Sequence, residues 1–215
     1  AALPRGFRAH VGNVGIRDVT DAFVVIADDR PCAAAAEFTT SRFAGPSVEV
    51  SRRHVADGAL QAIVVVSKNA NVATGAQGLA DAEELAAGVA SAIGAHPGDV
   101  LVASTGVIGR PYPIERVLTH LAELRAPFEI TRALPAATGI MTTDTHPKVA
   151  MAAMATDDGG TASIVGIAKG VGMIEPDMAT MLAFVLTDAE VPADELDRST
   201  RAVVARTFNS LSVDT

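Results

Sequence analysis

The residues best suited to chemistry are gathered in one stretch, Gly166-Ile167-Ala168-Lys169-Gly170-Val171-Gly172-Met173-Ile174-Glu175-Pro176-Asp177-Met178-Ala179-Thr180-Met181-Leu182. An apolar run ends at a single lysine, passes two glycines and a proline, and restarts as a second apolar run at Thr180. That layout describes a constrained loop with a cation at its start and a hydroxyl at its end. The same spacing also fits a plain strand-to-strand connection, in which Gly170 and Gly172 serve the turn and Thr180 is a β-former. Ser104-Thr105-Gly106 reads as a tight turn at the end of a strand, and Met141-Thr142-Thr143-Asp144-Thr145 as a hydroxyl-rich turn. Asp144 and His146 are two potential ligands ahead of Pro147, too few to define a metal site, and no His pairs with another at helical ligand spacing. No metal is expected. Gly166, Gly170 and Gly172 do not match a dinucleotide fingerprint, because their spacing is wrong and a strand-like run, Thr180 to Leu186, follows where that site needs a helix.

The block Ala168 to Leu182 resembles the cleavage block of the ornithine acetyltransferase (glutamate N-acetyltransferase) family of self-cleaving enzymes. Three further segments match that family in the same order: Lys68-Asn69-Ala70-Asn71-Val72-Ala73-Thr74-Gly75, Ala103-Ser104-Thr105-Gly106-Val107-Ile108-Gly109 and Gly139-Ile140-Met141-Thr142-Thr143-Asp144-Thr145. The resemblance covers essentially the whole chain. It implies a layered α/β sandwich of the ornithine-acetyltransferase type, with mixed sheets, antiparallel hairpins and covering helices.

The resemblance also implies a mechanism. The precursor would cut itself between Ala179 and Thr180, dividing residues 1–179, an α piece, from residues 180–215, the start of a β piece. Thr180 would then be the nucleophile. A hydroxyl is weak until a base takes its proton, and a freed α-amine, with a pKa of ~7.7–8.0, supplies that base on the same residue. Thr105 and Gly106 would form the oxyanion hole, a device worth ~3–4 kcal/mol of barrier per donor. Thr143 and Lys169, with Thr180, would contact substrate. The implied reaction moves an acetyl group from N-acetylornithine to glutamate without a cofactor, as part of arginine biosynthesis. The implied partners are those two amino acids, the chain's own β piece and further αβ units. A related acyltransferase of antibiotic metabolism, an amidase or peptidase passing its acyl group to water, and an inactive unprocessed binding subunit are the alternatives.

Two departures from the family pattern stand out. Glu175-Pro176-Asp177 replaces the commoner His-Pro-Asn, a variant that resembles the branch found in clavulanic-acid gene clusters. Family members also continue well past Thr215, so the chain is expected to be the N-terminal part of a longer precursor.

Composition is that of a packed globular domain. The 215 residues are 49% hydrophobic and 20% charged, and a net charge of −8 comes without any basic tract to neutralise phosphates. With no Trp and one Tyr, the chain also lacks stacking platforms for bases, so no nucleic-acid partner is expected. No uncharged run approaches the ~20 residues that span a bilayer, and Cys32 is alone, which together point to a soluble protein of the reducing cytoplasm.

The elements that must hold these residues are written in the hydrophobic pattern. Ala22–Ala27, Ala62–Ser67, Val100–Ser104, Val149–Ala155, Ser163–Ala168 and Met181–Leu186 read as strands, too continuously apolar for a sheet wet on one face. Thr156-Asp157-Asp158-Gly159-Gly160 makes a hairpin turn between two of them. Ala82 to Ile93 repeats at helical spacing, with Asp81 as N-cap and Gly94 as stop; further helices follow Pro113, as far as Leu124, and Pro192, as far as Leu211. Ala126–Ala137, with two prolines, is the expected internal seam.

Overall fold

The computed structural model describes residues 1–16, 23–171, 174–175, 178–179 and 181–211. Strands β1 (Arg8–Gly12), β2 (Phe23–Ala33), β3 (Ala59–Asn69) and β4 (Val100–Val107) form one sheet in that order. The first two pairings are antiparallel and β3–β4 is parallel. A parallel neighbour requires a crossover, which helix α2 (Gly75–Ile93) supplies. Alternation along these strands sorts the side chains onto two faces. Phe23, Val25, Val64, Val66 and Val102 pack with one core; Val24, Ile26, Val65 and Ala103 pack with another. Both faces are covered, which is why the strands are apolar at successive positions.

The first face is roofed by α1 (Pro46–His54), α2 and α3 (Ile114–Glu123), which contribute Val50, Leu85, Val89, Val117 and Leu121. The second meets α4 (Ala133–Gly139) and a second sheet, β5 (Lys148–Ala155), β6 (Thr161–Lys169) and β9 (Leu182–Thr187) in the order β5–β6–β9. Two-residue strands β7 (Ile174–Glu175) and β8 (Met178–Ala179) pair with each other between β6 and β9, and α5 (Ala193–Arg206) follows. One mixed sheet, one antiparallel sheet and covering helices make this an α/β layered architecture of the expected class. Among the described residues, no helix is long and apolar enough to cross a membrane.

Four local expectations are corrected. Asp81 is not an N-cap: the helix starts at Gly75 after Thr74, and Asp81 is buried inside it, accepting from Gln77 Nε2 at 2.7 Å. The last helix stops at Arg206 rather than Leu211, where the chain has already passed through a short 3-10 turn. The Ala126–Ala137 stretch is no seam: Ala133, Ala136 and Ala137 have 0% exposure. Small side chains let α4 wedge between the two sheets, and a Cβ on Gly139 would stand 2.5 Å from Val24 Cγ2. Finally, the second sheet does have an open face, where Val185, paired with Gly166, is 62% exposed. Gly94 does end α2, at φ 73°, and the 156–160 turn does join β5 to β6.

Candidate active site

The carboxyl ends of the parallel neighbours β3 and β4 bring two loops side by side, the usual place for a site in an α/β sheet. The loop after β3 is strained. Lys68, Asn71 and Ala73 hold φ of 71°, 48° and 60°, a region that costs a non-glycine residue of order 1 kcal/mol or more. Asn71, fully buried, is what holds it there. Its N–H donates to Asn69 Oδ1 at 2.8 Å, its Nδ2 to Gly78 O at 2.8 Å, and its Oδ1 accepts from Thr74 Oγ1 at 2.8 Å. The two loops are then bonded to each other by Ala70 N–H to Val107 O at 2.9 Å and Gly109 N–H to Val72 O at 2.7 Å.

Thr105 and Gly106 sit on β4 opposite Ser67 and Lys68. Gly106 has φ 142°, and a Cβ there would lie 2.2 Å from the carbonyl carbon of Lys68, so only glycine fits against the bulged strand. Thr105 is 7% exposed, and its Oγ1 is a buried side-chain oxygen with no hydrogen-bond partner among the described residues. Buried polar atoms are nearly always satisfied, so this hydroxyl stands out among the described residues. Next to it, Ser104, Ser47 of α1 and the Tyr112 hydroxyl bond to one another, Ser47 to Ser104 at 2.9 Å and Ser47 to Tyr112 at 3.0 Å. Burial pushes the Tyr112 phenol above its ordinary value, so it remains a neutral brace.

From here a run of bonds reaches the remaining motifs. Ser67 Oγ donates to Gly139 O at 2.8 Å, tying the end of β3 to the end of α4. In the turn beyond α4, Asp144 has a side chain of 0% exposure. Its Oδ1 accepts from Lys148 Nζ at 2.6 Å and from Gly170 N–H at 2.8 Å, while its Oδ2 accepts from Thr142 N–H at 3.3 Å. Burial opposes ionisation of Asp144, but these bonds outweigh it and hold the carboxyl below its ordinary value. Lys169, 2% exposed, is pushed the other way: burial lowers it, Asp144 partly restores it, and Lys148 lowers it further.

Thus the four motif segments are joined by backbone pairing and hydrogen bonds. Thr143 is exposed beside Asp144. Lys169 pairs with Leu182 across β6–β9, so the chain leaves and returns at one register position; Ala179 pairs with Ile174 in the excursion between. Thr180, the expected nucleophile, lies outside the described residues, as do Gly172, Pro176 and Asp177. The concavities along α2 and α3 contain none of these residues. No group of three or more His, Cys, Asp or Glu side chains among the described residues is placed to hold a metal ion. Asp144, Lys148, Asn71 and Tyr112 are the structural partners that spacing alone did not reveal. Asp144 stood within a recognised motif but was weighed only as a metal ligand.

The family model described as the ArgJ family matches residues 8–215. The chain belongs to the ArgJ family. Among ArgJ relatives, it is 49% identical over 215 residues to the arginine biosynthesis bifunctional protein ArgJ 2 of Nostoc sp., covering 100% of this chain and 54% of that protein. It is 50% identical over 213 residues to glutamate N-acetyltransferase Oat2 of Streptomyces clavuligerus, covering 99% and 53%. The chain therefore spans about half the length of the curated relatives it matches. Among solved structures, ArgJ of Bacillus halodurans superimposes with a TM-score of 0.77 at 31% identity, over 83% of this chain and 95% of that one. Ornithine acetyltransferase of Mycobacterium tuberculosis, complexed with ornithine, gives 0.72 at 31% identity, over 82% and 94%.

Proposed function

We propose that this chain is the nucleophile-generating part of a glutamate N-acetyltransferase that moves an acetyl group from N-acetylornithine to glutamate, in the cytoplasm and without a cofactor. The observation that carries the reading is the orphan Thr105 hydroxyl beside Gly106, at the mouth of two parallel strands: a donor held ready for an oxygen that no described group supplies. Membership of the ArgJ family, and relatives named for arginine biosynthesis and glutamate N-acetyl transfer, support the same assignment.

In this mechanism the Thr180 hydroxyl attacks the Ala179 carbonyl carbon, and the acyl group shifts from the Thr180 nitrogen to its oxygen. One water then opens the ester, leaving a carboxylate on Ala179, the hydroxyl on Thr180 and a free α-amine. Residues 1–179 and 180–215 become parts of an α and a β piece that stay associated. That the solved chains are matched over nearly their whole length, and the curated polypeptides over about half, supports such a division. The amine then takes the hydroxyl proton as Thr180 attacks the acetyl carbonyl of N-acetylornithine, ornithine departs with that proton, and glutamate's amine collects the acetyl group. Thr105 and Gly106 stabilise the oxyanion in each half, while Lys169 and Thr143 contact substrate.

The test uses the full-length polypeptide. Wild-type protein should yield two pieces with threonine at the new N-terminus and should pass label from acetylornithine to glutamate with ping-pong kinetics. Thr180→Ala should give one uncut band and no transfer. Transfer of label to water instead of glutamate would favour an amidase, and an uncut, inert wild-type protein would leave only a binding subunit.

A further inference from the structure

The segment that carries Thr105 and Gly106 runs from Ser104 to Tyr112, and its two ends are bonded to each other side chain to side chain. Ser47, in the first turn of α1, bonds to both, to Ser104 at 2.9 Å and to Tyr112 at 3.0 Å. Three hydroxyls carry three protons and make three bonds, so each can donate once and accept once in a closed triangle. Asn71 of the strained loop acts on the same phenol. The start of α1 presses on that loop as well, where a Cβ on Gly45 would stand 2.8 Å from Val72 Cγ2 and 3.1 Å from Asn71 O. Farther along the segment, Asn69 Nδ2 donates to Pro111 O at 3.0 Å, beside the backbone bonds from Ala70 to Val107 and from Gly109 to Val72. These bonds hold the segment to its neighbouring loop, whereas the hydroxyl triangle holds its base to α1. Successive side chains of a strand point to opposite faces: Val102 packs with the core under α1, and Ala103 with the other. Ser104 follows the first direction and Thr105 the second. The grip on Ser104 therefore sets the direction in which the next residue presents its hydroxyl.

We propose that Tyr112 is a positioning residue for the oxyanion pair Thr105 and Gly106: its phenol closes the hydroxyl triangle that ties the strand end bearing them to α1. This rests on the acetyl-transfer reading given above, in which Thr105 and Gly106 receive the oxyanion. Tyr112 meets no reacting atom in this role and acts through Ser104. Its aromatic body is part of the core, so Tyr112→Phe keeps the packing while breaking two of the three hydroxyl bonds. Because the role runs through Thr105, it has a signature that a purely structural residue lacks: the cost of removing the phenol should vanish once the Thr105 hydroxyl is gone.

The experiment is a double-mutant cycle on the full-length polypeptide: wild type, Tyr112→Phe, Thr105→Val and the two combined. Label transfer from acetylornithine to glutamate gives kcat, expressed per cleaved molecule counted by intact mass, and KM, with thermal unfolding measured on each protein. Tyr112→Phe should lower kcat about tenfold, less than the ~10²-fold of a 1 Å misplacement because the backbone bonds remain, and leave KM within about twofold. In the Thr105→Val background the same substitution should cost no more than about twofold. A wild-type kcat in Tyr112→Phe overturns the proposal, as does a loss that appears in KM. An equal loss in both backgrounds also overturns it, since the phenol would then act independently of Thr105. Should Tyr112→Phe or Thr105→Val give no folded, cleaved protein, Ser47→Ala decides, because it opens the triangle from the α1 side: a lowered kcat at unchanged KM upholds the proposal, and any other result ends it. Thr105→Val working at the wild-type rate, or a wild-type protein that transfers nothing, would instead strike the underlying reading and the proposal with it.

Discussion

The two sheets of this protein are finished to different degrees. In the first, β2 and β3 bury both faces, and Phe23, Val24, Val25, Val64, Val65 and Val66 are all at 0% exposure. In the second, Val165 and Ile167 of β6 are buried, yet Val185 of β9 is 62% exposed on the opposite face, and Met151 on the edge strand β5, though paired with Val165, is 67% exposed. The first sheet is a complete scaffold, able to hold the strained 68–74 loop against Gly106 because nothing beneath it yields. The second sheet carries Lys169 and the path to Ala179, but is secured on one face and by the Asp144 bonds. Burial is thus deepest in the sheet that carries Thr105 and Gly106, and the chain leading to Ala179 leaves from the less buttressed layer.

The largest effect should come from the scaffold. Phe23→Ala empties the centre of a two-sided core and is expected to cost about 3–5 kcal/mol in urea unfolding. A loss below ~1 kcal/mol would mean that the first sheet is not the rigid partner. Thr105→Val should separate stability from chemistry within that sheet. Replacing an unsatisfied buried hydroxyl by a methyl group should leave unfolding unchanged or slightly improved, while the acetyl transfer proposed for the full-length polypeptide falls roughly 10²–10³-fold. If kcat is unaffected, Thr105 is merely a strand residue.

A smaller, pH-dependent effect belongs to the second sheet. The Asp144 carboxyl titrates below its ordinary value, so its stabilising bonds are complete above about pH 3.9 and are lost as pH falls through the folded value beneath that. The protection factor of Gly170 N–H against hydrogen exchange should therefore fall in acid before those of amides within β2 and β3 do. Simultaneous loss of protection in both sheets would remove the distinction. The smallest effect is expected at Val185→Ala on the open face, within about 0.5 kcal/mol of wild type. A cost of 2 kcal/mol or more, on the scale of a core truncation, would mean that this face is packed after all.

Much of this architecture was legible in the residues. β3, β4, β6 and β9 overlap apolar runs; in β3 and β4 alternate side chains feed two buried faces, and in β6 and β9 one face feeds the core. Gly94 and Gly159 mark their turns because both adopt positive φ. Helix α4 was hidden: its alanines and Pro135 look like linker composition, and their value lies in being thin enough to fit between two sheets. β1 is short, and its apolar pattern is broken by Arg8 and His10. Of the candidate site, Thr105, Gly106 and Lys169 were named from motif resemblance, whereas Asp144 gained its role only when the turn after α4 met β6. His10 and His120, 110 residues apart, likewise meet ring to ring at 2.8 Å with nothing in their spacing to announce it.

The amino-acid order alone settled what repeats locally: strand and helix periodicity, turn positions and the motif blocks that carry the family resemblance. Each of these depends on neighbours within a few residues, so each is written in the chain. Which faces would be covered, which hydroxyl would be left without a partner and which carboxylate would grip Gly170 were decided by packing. Those outcomes depend on how layers distant in sequence stack and exclude water, and that exclusion turns Thr105 from a turn residue into a buried hydroxyl without a partner among the described residues and Asp144 from a turn residue into an anchor.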